Sequence, residues 1–119
     1  MDYKFINTEY LDSVSGEDNN IMLEIVNIFR EQVAEMQEEM RNLLSEKNYH
    51  SLGLLAHKAK SSVAIMGMDE LASMLRSFEL QAKEGTFSEN YDSYIKKFIN
   101  DTGEAMKELD DLINKRQKQ

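Results

Sequence analysis

His50 and His57 are the side chains of this sequence best suited to nucleophilic chemistry. The chain has 119 residues and no cysteine, which excludes a thiolate nucleophile, a disulfide and a cysteine zinc site. An imidazole has an ordinary pKa of about 6.5, so at neutral pH most imidazoles carry a lone pair that can attack phosphorus. The histidines are seven residues apart and no carboxylate lies four residues from His57, which makes a metal site unfavourable. Metal-assisted hydrolysis is therefore the least favoured kind of chemistry.

Composition and charge exclude further classes of protein. The formal charge is −8, from 22 acidic and 14 basic side chains, and phosphate-backbone binding needs a concentrated basic surface. The only basic cluster, Lys115, Arg116 and Lys118, lies at the carboxyl end, where we expect a frayed and solvated terminus. The amino terminus lacks the basic start and apolar run of a targeting segment, and no apolar stretch is long enough to span a membrane. We expect a cytoplasmic protein that binds neither nucleic acid nor membrane.

Helix-forming residues are abundant and proline is absent, so the sequence predicts a helical protein. Four long helices would then position the histidines. Their predicted ranges are 17–45, 49–66, 69–84 and 86–114, after a short segment at 8–14. Ser15 is placed to cap the first helix, Gly67 and Gly85 to end the second and third, and Thr86 with Glu89 has capping-box spacing. Short connections favour an all-α fold: an antiparallel up-down four-helix bundle with a short extra N-terminal helix, one domain over 1–119.

Apolar residues at three- and four-residue steps define the predicted core face of each helix. In chain order they are Met22, Ile25, Phe29, Val33, Met36, Met40 and Leu43; Leu52, Leu55, Ala56, Ala59, Val63 and Met66; Leu71, Leu75, Phe78 and Ala82; and Tyr91, Tyr94, Ile95, Phe98, Met106, Leu109 and Ile113. At about 100° per residue, His57 lies about 150° from the centre of the second set. His57 should therefore point to solvent. His50 lies on roughly the same face, at the start of the helix.

The neighbours of His57 on its helix are unusually small. Gly53 precedes it by four residues, and Ser61 and Ala64 follow it by four and seven. A glycine inside a helix costs about 1 kcal/mol relative to alanine. We interpret Gly53 as an exposed position that lets a partner approach closely. Lys60, three residues after His57, would meet an incoming negative charge.

Two further residues complete the predicted contact surface. Leu54, three residues before His57, supplies an exposed apolar side chain, and Lys58 follows His57 directly. From the residues alone, two interpretations of His57 stay open: a solvated histidine with no role, or a nucleophile presented to a partner.

The segment from Ala56 to Ser62, AHKAKSS, with Gly67 ten residues after the histidine, resembles the signature of histidine-containing phosphotransfer (HPt) domains. The stretch YLDSVSGEDNNIMLEIVNIFREQV resembles the first long helix of the same family, and the likeness covers most of the chain. The resemblance implies that His57 accepts and releases a phosphoryl group and that Lys60 stabilises it. It also implies that the small side chain at Ser61 lets a receiver domain dock.

Two residues depart from the family pattern. Glycine is usual where this chain has Ser61, and a larger apolar residue is usual where it has Ala59. Serine keeps the position small and adds a hydroxyl, so docking should survive. Ala59 concerns the core and should affect stability more than chemistry.

The leading hypothesis is a monomeric carrier in a multistep phosphorelay, which takes a phosphoryl group from one receiver aspartate and passes it to another. The expected partners are the receiver domains of a hybrid sensor kinase and of a response regulator. The chain has no glycine-rich nucleotide loop, so we expect neither kinase activity nor a cofactor, with magnesium held by the receiver. The alternative is a helical adaptor that binds a receiver or kinase domain without turnover.

Overall fold

Residues 3–117 are described by the computed structural model, so Lys118 lies outside the described residues. Within them the chain forms five α-helices and no strand. The helices are α1 (Glu9–Ser15), α2 (Asn19–Ser45), α3 (Tyr49–Ile65), α4 (Asp69–Glu84) and α5 (Tyr91–Gln117), and one 3₁₀ turn (Ser88–Asn90) precedes α5.

The four long helices form the predicted bundle. Each of α2 to α5 packs against the next in chain order, and α5 returns to pack against α2. The connections between them are short, so consecutive helices run antiparallel. The all-α up-down bundle and its short extra N-terminal helix are therefore confirmed.

One cluster of buried side chains fills the centre of the bundle. Most residues predicted to face the core belong to it, and the alanine at position 59 is fully buried. The predicted core residues at its margin, which are only partly buried, are Ile25, Leu43, Tyr94, Met106 and Ile113.

The prediction that Ser15 caps the first long helix is wrong. Ser15 is the last residue of α1, and its hydroxyl donates to the carbonyl oxygen of Leu11 at 2.6 Å. Gly16 then turns the chain with φ +56°. Asp18 caps α2 instead, since its carboxylate accepts hydrogen bonds from the backbone N–H groups of Asn20 and Ile21.

The predicted capping box of Thr86 and Glu89 is also wrong. The Thr86 hydroxyl donates to the carbonyl oxygen of Gln81 in α4, 3.4 Å away, and so turns back to the preceding helix. Phe87 then adopts a left-handed conformation, and the chain makes its 3₁₀ turn before α5 begins. The buried hydroxyl of Tyr91 lies 2.8 Å from the carbonyl oxygen of Gln81. Tyr91 thus ties the first turn of α5 to the end of α4.

The carboxyl end of α5 is not frayed over its described residues, contrary to prediction. The helix continues to Gln117, three residues beyond the predicted end. The Arg116 guanidinium donates to the Asn19 side-chain oxygen at 2.9 Å and to the Gly16 carbonyl oxygen at 2.8 Å. These hydrogen bonds attach the end of α5 to the α1–α2 connection.

The amino-terminal segment runs along α5 before α1 begins. The carboxylate of Glu108 in α5 accepts hydrogen bonds from three consecutive backbone N–H groups, those of Lys4, Phe5 and Ile6. The Asn7 backbone N–H then donates to the Met66 carbonyl oxygen at 3.0 Å. This segment therefore covers the end of the bundle where α3 turns into α4.

Helices α3 and α4 pack against each other more extensively than any other pair, and Gly53 lies at their contact. The expectation that Gly53 is exposed is wrong, because the residue is buried beneath α4. A Cβ atom at this position would lie 2.8 Å from Lys83 Cγ, 3.0 Å from Lys83 N and 3.1 Å from Glu79 O. The glycine thus lets the two helix backbones approach closely.

Replacing Gly53 by alanine should destabilise the fold. Alanine gains helix propensity, but its Cβ must displace the α4 backbone, and overpacking of this kind costs about 1–3 kcal/mol. Gly103→Ala in α5 is the matched control, since nothing lies within 4 Å of its added Cβ, and it should stabilise by about 1 kcal/mol. Urea unfolding followed by circular dichroism measures both. Equal stabilisation by the two alanines would contradict the close-packing role of Gly53.

Candidate phosphoacceptor site

His57 lies in the middle of α3, on the face turned away from the core, as predicted. Its side chain is 56% exposed. The helix that carries it is fixed at its start by Asn48, whose side chain accepts a hydrogen bond from the Ser51 backbone N–H. Its inward face is held by the fully buried Leu52, Ala56 and Ala59. The imidazole therefore stands on a well-packed helix while its ring stays accessible.

A carboxylate from the neighbouring helix α4 holds the imidazole. His57 Nδ1 lies 3.0 Å and 3.1 Å from the two carboxylate oxygens of Glu79. The ammonium groups of Lys60 and Lys83 contact the same carboxylate, at 3.4 Å and 2.8 Å. Three titratable side chains from two helices thus meet at one acceptor.

Glu79 is almost completely buried, with its side chain 9% exposed. Burial alone would raise its pKa, but hydrogen bonds from Lys83, His57 and Lys60 outweigh this and lower the pKa to about 2. The carboxylate is therefore ionised at neutral pH. Its charge is compensated by side chains that reach it from the edge of the α3–α4 contact.

The hydrogen bond to Glu79 selects the tautomer of His57. An ionised carboxylate can only accept hydrogen bonds, so Nδ1 must carry the ring proton. In the neutral ring the lone pair is then on Nε2, which has no hydrogen-bond partner among residues 3–117. On this half-exposed ring the carboxylate holds Nδ1 and leaves Nε2 as the potential nucleophile, much as a carboxylate orients the histidine of a catalytic triad.

The structure brings Lys60 to His57 through their shared acceptor. Lys60 follows His57 by three residues on α3, and both side chains lean toward α4 to reach Glu79. The Lys60 side chain is 25% exposed, so it borders the solvent beside the imidazole. The ammonium of Lys60 thus shares one acceptor with Nδ1 of His57.

Four of the five residues predicted to contact a partner are exposed on the His57 face of α3: Leu54, Lys58, Ser61 and Ala64. The Ser61 hydroxyl lies 3.5 Å from the carbonyl oxygen of His57, one turn back along the same helix. Gly53 is the exception. Because it is buried against α4, it offers no surface to a partner, and its role is in the packing of α3.

An apolar groove continues from this face toward α2. It lies between α2 and α3, and its lining includes Ile25, Ile28 and Ile65, with Gln32 and Ser62 beside them. Ile65 follows His57 by eight residues, and its side chain is 40% exposed. The groove therefore borders the same helix that carries the imidazole.

The second histidine, His50, lacks such an environment. It is the second residue of α3 and is exposed, with no hydrogen-bond or ion-pair partner in the described part of the chain. Over residues 3–117 no three acidic or histidine side chains are grouped so as to hold a metal ion. None of the described helices combines the length and apolar character needed to cross a membrane.

Sequence reasoning did not find Glu79 or Lys83, because both lie on a different helix from His57. A signal for Glu79 was present. It follows Leu75 by four residues and Phe78 by one, so it lies beside the apolar stripe of α4, where an acidic side chain needs a partner. Pairing Glu79 with His57, however, requires the register of α4 against α3.

The described residues thus form a helical bundle that carries an exposed histidine, held by a buried carboxylate beside a lysine. The family model of the Hpt domain matches residues 24–115, which is most of the chain. The chain therefore belongs to the Hpt domain family, whose members take part in phosphotransfer in two-component signalling. No curated protein and no solved structure shows significant similarity to it.

Glu79→Gln should lower the stability of the protein in a pH-dependent way. At pH 7 we expect a loss of about 1–3 kcal/mol in the free energy of unfolding, because buried charged hydrogen bonds are broken. The Glu79 pKa is about 2 in the folded chain, against an ordinary 4.5, so its contribution is complete above pH 4.5 and is lost as the pH falls toward 2. The difference in the free energy of unfolding between wild type and variant should therefore become smaller as the pH falls from 4.5 toward 2. Urea unfolding measures this difference.

Glu84→Gln, on the exposed side of the same helix, is the control for loss of an acidic side chain. It should change the stability at pH 7 by less than about 0.5 kcal/mol. ¹⁵N NMR of the histidine ring should also report Nδ1–H in the wild type and a mixture of tautomers in Glu79→Gln. A wild-type ring protonated on Nε2 would contradict the assigned tautomer.

Proposed function

We propose that this protein is a phosphoryl carrier of a multistep phosphorelay, with His57 as the phosphoacceptor. The observation that carries the proposal is the hydrogen bond from Nδ1 to Glu79, which leaves the lone pair on Nε2 of a half-exposed ring. The donor is the aspartyl phosphate of one receiver domain, and the acceptor is the aspartate of another.

The transfer needs no proton movement at His57. The Nε2 lone pair attacks phosphorus, an N–P bond forms, and the P–O bond to the donor aspartate breaks, releasing its carboxylate. The ring becomes positively charged while Nδ1 keeps its proton, and Glu79 stabilises that charge. When the second aspartate attacks phosphorus, Nε2 leaves with its electron pair and the neutral ring is restored.

The chain supplies the nucleophile and the positioning groups, and the receiver supplies the rest. Lys60, which shares the Glu79 carboxylate with His57, would bind the phosphoryl oxygens on His57. Magnesium would be held by the acidic pocket of the receiver, and this chain would need no cofactor. On this proposal the protein is a carrier and not a kinase.

The receiver would dock on the surface that joins His57 to the groove between α2 and α3. Leu54 and Ile28 are about half exposed, and Ile65 is 40% exposed, so these side chains offer apolar contacts to a partner. Ser61 and Ala64, which are exposed on the same helix, are small and leave room for a partner beside the imidazole. An apolar contact of this kind would bring the receiver's aspartate to Nε2 without covering it.

His57→Gln should abolish phosphorylation, and His50→Gln should leave it close to the wild-type rate. Receiver domains from the same organism, phosphorylated with acetyl phosphate and magnesium, would serve as donors, and acid-labile phosphate on the carrier would be measured. Phosphate that persists on His57→Gln would contradict the assignment. If a receiver binds His57→Ala with wild-type affinity and no donor ever phosphorylates the wild type, the adaptor interpretation is correct.

Ile28→Glu should slow transfer from a phosphorylated receiver by about tenfold or more, because a carboxylate would be buried at an apolar contact. Phosphorylation of the same variant by phosphoramidate, a small donor that needs no docking surface, should be unchanged. Phe87→Glu is the matched control, since Phe87 is exposed but lies in the α4–α5 connection. Equal slowing by the two variants would contradict docking at the groove.

A further inference from the structure

Lys83 is the third side chain that contacts the Glu79 carboxylate, and it makes the shortest contact. Its Nζ lies 2.8 Å from Glu79 Oε2, whereas Lys60 Nζ lies 3.4 Å from Oε1. His57 Nδ1 shares Oε2 with Lys83 at 3.0 Å. The two lysines therefore occupy different oxygens of one carboxylate.

The position of Lys83 depends on the glycine of the opposite helix. Lys83 follows Glu79 by four residues on α4, so the two side chains lie on one face. The Lys83 Cγ passes within 2.8 Å of the point where a Cβ of Gly53 would stand. The aliphatic part of Lys83 thus lies across α3, and its ammonium reaches back to the buried carboxylate while the side chain is 35% exposed.

Once His57 carries a phosphoryl group, Lys60 and Lys83 would have different interaction partners. The phosphoryl oxygens would attract Lys60, which is three residues from His57 and holds Glu79 only by the longer contact. If no other cation contacted Glu79, two outcomes would be possible. The buried carboxylate would keep Lys60 as its counter-ion, or it would lose Lys60 and have only the hydrogen bond from the His57 ring N–H. Lys83 is held to the carboxylate from its own helix and projects from the side of α4.

We propose that Lys83 is a positioning residue that stays bound to Glu79, so that Lys60 can leave this carboxylate and bind the phosphoryl group on His57. The proposal rests on the phosphoacceptor role of His57. Lys83 takes no part in bond making or breaking: the N–P bond forms at Nε2, and Lys83 only keeps the carboxylate that holds Nδ1 in place. Lys60 and Lys83 thereby have separate tasks, although both contact Glu79 in the unphosphorylated site.

The test compares four proteins phosphorylated with phosphoramidate: wild type, Lys83→Met, Lys60→Met and the double variant. Lys83→Met should slow phosphorylation of His57 by about tenfold, because Lys60 is then retained on Glu79. In the Lys60→Met background the same substitution should have less than about a twofold effect, because no Lys60 remains to be released. Phosphohistidine is measured by ³¹P NMR, and thermal unfolding verifies that each variant is folded.

Two further variants separate positioning from a general effect of charge. Lys83→Arg keeps the charge and the aliphatic part, so it should recover most of the wild-type rate. Lys107→Met, an exposed lysine of α5 paired with Glu104, is the matched control and should have no effect. An effect of Lys83→Met that is equal in both Lys60 backgrounds, or no greater than that of Lys107→Met, would overturn the proposal.

A wrong role for Lys83 and a wrong role for His57 would give different results. If phosphoramidate and phosphorylated receivers label His57→Gln as fully as the wild type, the phosphoacceptor assignment itself is wrong. If wild type is labelled on His57 but Lys83→Met behaves as the control does, only the role of Lys83 is wrong.

Discussion

The site depends on one interaction, the hydrogen bond between His57 Nδ1 and the buried carboxylate of Glu79. It fixes the proton on Nδ1 and so leaves the lone pair of the neutral ring on Nε2. In the proposed role of His57 as phosphoacceptor, a carboxylate this close would by itself repel the incoming phosphoryl group. Its contacts with Lys60 and Lys83 remove that disadvantage, since they supply two positive charges for one negative charge.

The packing of α3 against α4 serves this interaction. Glu79 can reach His57 because the two helices approach closely, and Gly53 is what permits the approach. The same glycine gives Lys83 its path across α3. A residue that looks like an opening for a partner is therefore part of the internal structure, and the conformational cost of glycine in a helix is offset by the contact that it allows.

The sequence predicted the bundle and the exposed histidine because both follow from periodicity within single helices. His57, Lys60 and Ser61 lie on one face of α3, and that face can be derived from 100° steps. Glu79, Lys83 and the burial of Gly53 depend on how two helices align, which one sequence does not specify. The wrong predictions of helix caps at Ser15 and Thr86 have a local cause. Each hydroxyl donates instead to a backbone carbonyl oxygen in the preceding turn or turns of helix.

The charge distribution fits the proposed carrier role, in which His57 must both accept and release a phosphoryl group. The chain has a formal charge of −8. The two side chains that share the Glu79 carboxylate with His57 are nevertheless both lysines. Stronger positive charge would hold a phosphoryl group too firmly to pass it on, whereas none would leave the group opposed by Glu79 alone. The partly exposed Lys60 and the half-exposed imidazole leave the site open to water and to a partner. On this proposal the remaining groups for the chemistry, a metal ion and an attacking aspartate, arrive with the receiver, so this fold needs only to hold one ring nitrogen in the right direction.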